Sequence, residues 1–124
     1  MRFLVVDDSA TMRRIVINSL SRIGYTEVAE AGDGEEALAR FDASIGCVIT
    51  DWNMPNMSGV ELVRALRARP DGARVPILMV TTRSVREDIL AAIEAGVNNY
   101  IVKPFTPQVL KEKLEILLRP APAA

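Results

Sequence analysis

Short apolar runs alternate with stretches of helical period along the whole chain. Phe3-Leu4-Val5-Val6 is a continuous apolar run, β-branched at its end, as a strand covered on both faces requires. Ser9 then offers a helix cap, and Met12, Ile15, Val16, Leu20 and Ile23 keep helical spacing until Gly24. A weaker strand follows over Thr26 to Glu30. Asp33-Gly34 turns the chain into a short helix marked by Ala37, Leu38 and Phe41. Cys47-Val48-Ile49-Thr50 reads as a third strand, and the Pro- and Asn-bearing stretch Asp51 to Ser58 as a loop. Val60, Val63 and Leu66 mark the next helix, which ends before Pro70-Asp71-Gly72. Pro76 opens a fourth strand, Ile77-Leu78-Met79-Val80. Ser84 is the expected cap of a helix carrying Ile89, Ala92 and Ile93, which Gly96 closes. Asn99 to Val102 is the fifth strand. Thr106 caps a last helix with Pro107 at its first position and Leu110, Leu114, Leu117 and Leu118 on one side.

Five strand–helix units in strict alternation predict an α/β fold. It is a doubly wound (βα)5 parallel sheet, because right-handed crossovers place helices on both faces. The flavodoxin-like strand order 2-1-3-4-5, one of the two common doubly wound orders, is the expected one. The domain is expected to span residues 1–119, leaving Pro120-Ala121-Pro122-Ala123-Ala124 as a flexible tail or linker stub.

Composition narrows the chemistry. The 124 residues suit one domain able to bury about two-thirds of its unfolded surface. With 15 basic and 16 acidic residues the chain has no field to attract nucleic acid or an anionic membrane. No apolar run reaches the ~18 residues of a membrane span, and the start does not read as a signal peptide. There is no histidine, and the one cysteine, Cys47, fits a reducing, cytoplasmic setting. Serine–histidine and cysteine–histidine catalysis and ordinary zinc sites are thereby excluded. What remains is carboxylates, hydroxyls, lysine, backbone, or a hard cation on oxygen.

Ligands of open parallel sheets gather at the carboxyl ends of the strands. Those ends carry Asp7 and Asp8 after the first strand and Asp51 after the third. Thr81 and Thr82 follow the fourth, and Lys103-Pro104 the fifth. Gathered carboxylates must raise a pKa, take a cation or pair with Lys103. Mg2+ suits such a set, and a lysine opposite suits a phosphoryl group. The inventory matches phosphoryl transfer with one carboxylate as nucleophile.

The segments Val5-Val6-Asp7-Asp8-Ser9, Thr50-Asp51-Trp52-Asn53-Met54-Pro55-Asn56-Met57-Ser58-Gly59, Val80-Thr81-Thr82 and Val102-Lys103-Pro104-Phe105 together resemble the response-regulator receiver family of two-component signalling. Their order and spacing match over roughly residues 1 to 118. Asp51 to Pro55, Tyr100 and Lys103 to Thr106 look most like its single-domain chemotaxis regulators. The resemblance implies that Asp51 is the phosphoacceptor. Asp8, Asp51 and the backbone carbonyl of Asn53 would hold Mg2+, with Asp7 acting through a bound water. Thr81 would hydrogen-bond the phosphoryl group, and Lys103, ahead of a cis Lys103–Pro104 bond, would pair with Asp51 and then with the phosphoryl oxygen. Tyr100 would swing inward as Thr81 moves. Asn53 and Arg83 occupy the positions that tune autodephosphorylation. Arg83 cannot act as a base but could shield or grip the phosphoryl group, and Thr82 is larger than the alanine or glycine common there.

The implied activity is a phospho-switch rather than an enzyme. A histidine kinase donates, and the face made by the fourth helix, fifth strand and fifth helix is expected to bind a partner, the flagellar motor switch protein. Arg86, Ile89, Ile93, Val97, Tyr100 and Lys113 are the expected contacts there, with Met79 nearby, and a monomer and an opposing phosphatase are expected. Alternatives are a phosphate sink, a relay, a receiver cut from a larger regulator, or an aspartyl-phosphate phosphatase. The last needs a second carboxylate two residues after the nucleophile, where Asn53 stands.

Overall fold

The computed structural model describes residues 1–118, so the expected tail and Arg119 lie outside the described residues. In chain order the elements are β1 (Arg2–Val6), α1 (Ala10–Arg22), β2 (Glu27–Ala31), α2 (Gly34–Arg40) and β3 (Ile45–Thr50). They continue with α3 (Gly59–Arg67), β4 (Ile77–Thr81), α4 (Arg86–Ala95), β5 (Asn99–Val102) and α5 (Pro107–Leu117). The five strands form one sheet in the order β2-β1-β3-β4-β5. Every neighbouring pair is parallel.

Strand alternation divides the core in two. Leu4, Val6, Val48, Ile77 and Met79 point to the side packed by residues of α2, α3 and α4, including Ala37, Leu62, Val63, Leu66 and Ala92. Phe3, Val5, Cys47, Ile49, Leu78 and Val80 point to the other, against Val16 and Leu20 of α1 and Leu110 and Leu114 of α5. That double cover explains the unbroken apolar runs. Each fully buried Leu or Ile stabilises by about 1.5–3 kcal/mol relative to exposure. Cys47 lies wholly in this core, and burial pushes its thiol up to about 12.

Helix starts are set by side chains that accept first-turn N–H groups. Ser9 caps α1, Thr106 caps α5 ahead of Pro107, and Ser58 forms a reciprocal capping box with Glu61 on α3. Asp33, read as part of a turn, is the cap of α2. Ser84 does not cap α4. The cap position is Val85, whose carbonyl accepts from Asp88 and Ile89, and no capping side chain accepts a first-turn N–H of this helix. Ser84 lies one residue too early to reach the first-turn amides.

Arg67 closes the far end of the sheet. Its guanidinium donates to the carbonyls of Gly72, Val75 and Gly96 and to the Asn98 side-chain oxygen. It thereby joins the end of α3 to the turn after α4.

Candidate functional site

The carboxyl ends of β1, β3, β4 and β5 meet at one rim. Asp51 follows β3, and its backbone N–H donates to Val6 O at 2.9 Å, which sets it beside the end of β1. The Thr50 hydroxyl donates to the Asp51 carbonyl at 2.8 Å. The Lys103 N–H donates to Thr81 O at 2.8 Å, which brings the end of β5 onto that of β4. The Lys103–Pro104 peptide is cis. With the strand pairing, these bonds bring the Lys103 side chain to Asp7, 96 positions away in the chain.

The Lys103 ammonium stands 3.0 Å from Asp7 Oδ2 and 3.0 Å from Asp51 Oδ2. Asp7, Asp8 and Asp51 each offer a carboxylate oxygen within 4.8 Å of the others. Asp7 is buried, Asp51 half-buried and Asp8 exposed. Asp7 Oδ1 accepts from Ser9 N–H at 2.9 Å, and Asp51 Oδ1 from Trp52 N–H at 2.6 Å. Burial raises the Asp7 carboxyl above its ordinary range against the pull of the Ser9 N–H and Lys103. Burial alone would lower Lys103, but its bonds to Asp7 and Asp51 prevail and hold it above its usual value. Three gathered acids, two of which share one ammonium, are the chemistry of a hard-cation and phosphoryl site.

The resemblance paired Lys103 with Asp51; the structure adds Asp7 to that pair. Arg13, which nothing in the sequence singled out, donates to the Asp7 carbonyl at 2.6 Å and to Glu30. Gly59, quoted only as the end of a motif, packs its Cα against the Asp51 backbone so closely that a Cβ there would lie 1.9 Å from Asp51 O.

Thr81 is fully buried, and its Oγ1 accepts a long 3.5 Å bond from Arg83 N–H. Tyr100 is half-buried, and its hydroxyl donates to Arg83 O at 2.8 Å. Burial raises its phenol above the ordinary value. Asn53 is exposed, and its side-chain oxygen accepts two bonds from Arg83. Thr82 is exposed beside Lys103 and lines an apolar groove of about 310 Å3 with Met12, Ile15, Pro104 and Phe105.

Of the expected partner contacts, Arg86 is exposed at the start of α4, Ile93 is 51% exposed, and Ile89 and Lys113 are half-buried. Val97 is a correction. Val97 is 5% exposed and Met79 0%, both within the core on the α3–α4 side, so neither is presented to a partner in this conformation. An apolar residue just after a helix-ending glycine turns inward to cover the sheet. Leu90 of α4 and Val102 of β5, which the sequence reading omitted, are exposed on the same elements.

The description "Response regulator receiver domain" matches residues 3–115. The chain is 56% identical over 120 residues to the chemotaxis protein CheY1 of Helicobacter pylori (strain J99), covering 95% of this chain and 97% of that protein. It is 51% identical over 116 residues to the chemotaxis protein CheY of Pseudomonas aeruginosa, covering 93% and 94%. The structure of Vibrio cholerae CheY4 superposes with a TM-score of 0.86 at 39% identity, covering 94% of this chain and 98% of that one. The fold, the acid cluster and these likenesses along nearly the whole chain agree: the protein belongs to the response regulator receiver domain family, with CheY proteins among its relatives.

Proposed function

We propose that the protein is a phosphorylation-activated regulator of chemotaxis. Asp51 accepts a phosphoryl group from the phosphohistidine of a histidine kinase. A carboxylate oxygen of Asp51 forms the new P–O bond as the P–N bond of the donor breaks, and the freed imidazole nitrogen keeps the electron pair. The observation that carries this reading is the Lys103 ammonium, 3.0 Å from both Asp7 and Asp51, with Asp8 in the same acid cluster.

Mg2+ suits the donor set of Asp7, Asp8 and Asp51, together with the Asn53 carbonyl, and when bound supplies positive charge to phosphoryl oxygens. Lys103 offers the phosphoryl group a second positive contact, and Thr81 offers a hydroxyl. Phosphorylation adds charge and acceptor oxygens at the rim. Thr81 and Lys103 are drawn toward them, and Tyr100, which bonds the Arg83 carbonyl two residues beyond Thr81, follows that loop. The exposed side chains of α4, β5 and α5 then present a changed surface to the flagellar motor switch. The names of the CheY relatives support the chemotaxis assignment. A phosphatase reading is disfavoured because position 53 is an amide whose oxygen is taken by Arg83.

Acetyl phosphate with Mg2+ is expected to add one phosphoryl mass to the protein and none to Asp51→Asn. A variant that still gains the mass refutes the acceptor assignment. A motor-switch N-terminal peptide is expected to retain the protein only with beryllofluoride present; equal retention without it refutes the output assignment.

A further inference from the structure

Arg83 touches the loop that follows Asp51, the first turn of α4 and Tyr100 of β5. Its guanidinium donates to Asn53 Oδ1 through Nε at 3.0 Å and through Nη2 at 2.8 Å. It lies 4.5 Å from the centre of the Trp52 ring. Through Nη1 it donates to Asp88 Oδ2 at 3.3 Å. Its carbonyl takes the Tyr100 hydroxyl. Trp52 and Asn53 directly follow Asp51, and Asp88 lies in the first turn of α4.

That first turn has an unusual need for such a contact. Among the described helices, α1, α2, α3 and α5 each start on a side chain that accepts a first-turn N–H, and α4 alone does not. An isolated exposed ion pair is worth little, about 0–1 kcal/mol. Here the guanidinium is not free to wander. Two N–H groups on one oxygen and the Trp52 ring under its central carbon fix its orientation before it meets Asp88. A lysine could reach Asp88 but has neither the planar fork nor the stacking face.

We propose that Arg83 is a positioning residue that ties the loop following Asp51 to the first turn of α4, so that a displacement of that loop is passed to α4 through Asp88. Its regulatory meaning rests on the phospho-switch reading above; the tie itself belongs to the resting protein and can be measured there.

The test is hydrogen exchange of the full chain at the Asp88 and Ile89 amides, which bond Val85 O at 3.0 and 3.1 Å. Asn53→Ala is expected to speed exchange at these amides roughly two- to tenfold, the range of one lost hydrogen bond, although Asn53 makes no hydrogen bond to α4. Arg83→Ala is expected to do the same, and adding Asn53→Ala to it is expected to change nothing further. Arg83→Lys should also abolish the effect of Asn53→Ala, which a merely charge-based role would preserve. Amides at the centre of β3 serve as the check that each variant remains folded. If Asn53→Ala leaves α4 exchange at the wild-type rate, or acts undiminished in the Arg83→Ala background, the proposal is overturned. Trp52 fluorescence on addition of Mg2+ and beryllofluoride tests the phospho-switch separately. A coupled exchange result without a fluorescence response upholds the tie and sinks the switch; a response with independent exchange effects does the reverse.

Discussion

Gly59→Ala is the smallest change that should disable the acid site without touching any of its side chains. The new methyl carbon would fall 1.9 Å from Asp51 O and 3.0 Å from Trp52 Cα. Ordinary contact begins at 3.4 Å, so the start of α3 and the Asp51 peptide must part by about 1.5 Å. Neither side yields easily. Gly59 N–H donates to Trp52 O at 2.8 Å, and the Asp51 carbonyl is held by the Thr50 hydroxyl. Overpacking usually costs about 1–3 kcal/mol, and backbone against backbone belongs at the upper end. At ~2.1 cal/mol/K per residue of unfolding entropy, about 3 kcal/mol lowers the melting temperature by on the order of 10 °C. A nucleophile misplaced by about 1 Å can lose roughly 100-fold in rate. Thermal unfolding and stopped-flow Trp52 fluorescence with acetyl phosphate and Mg2+ measure the two effects. Gly72→Ala is the comparison: its methyl would meet Leu66 O at 2.4 Å, at the opposite end of the sheet. It should lose similar stability yet take up phosphoryl normally per folded molecule. Gly46→Ala meets only the movable end of Met1 and should be close to neutral. A Gly59→Ala protein with unchanged melting and unchanged uptake would refute the reasoning, as would equal loss of uptake in Gly72→Ala.

Other outcomes follow from the same geometry. Lys103→Met removes the ammonium that competes for Asp7 and Asp51, so Mg2+ should bind about tenfold more tightly by Trp52 fluorescence; weaker binding would contradict that competition. Asp33 is held below its ordinary value of 3.8 by the Glu36 N–H and then by the Asn56 amide. Its folded pKa is the lower one, so the unfolded chain takes up its proton first. The stabilisation is therefore complete above the ordinary value and is lost as pH falls through the folded one. Asp33→Asn should flatten the fall of stability as pH drops below the ordinary value of 3.8, and an unchanged slope would count against it. Arg67→Met strands the carbonyls of Gly72, Val75 and Gly96. Urea unfolding should show about 2–3 kcal/mol lost with the same denaturant slope; a loss within error of zero would mean that water replaces the guanidinium without cost.

What could be read from the chain was what local pattern encodes. Apolar runs such as Phe3–Val6 and Ile77–Val80 are strands because both faces of the sheet are covered, and Ser9, Thr106 and the glycines after α1 and α4 mark helix ends by chemistry confined to a few residues. The acids and Lys103 were identifiable because strand ends in a parallel sheet share one rim. What escaped depends on contacts between distant positions. Arg83 meets Asn53 across 30 residues, and Arg67 meets Gly96 across 29, with no periodicity to announce either. Val97 was misjudged because hydrophobicity alone does not tell an inward apolar residue from an exposed one. Ser84 was misjudged by a single position, since any nearby hydroxyl satisfies the pattern of a cap but only one position has the reach.

Cys47 turns the middle of the sheet into its own recorder. The thiol sits at zero exposure on β3, the central strand, with its ionisation suppressed to about 12. A maleimide or disulfide reagent at neutral pH finds neither access nor thiolate while the strands stay together. Each labelled molecule has therefore opened at its centre, and the labelling rate counts those openings without any engineered probe.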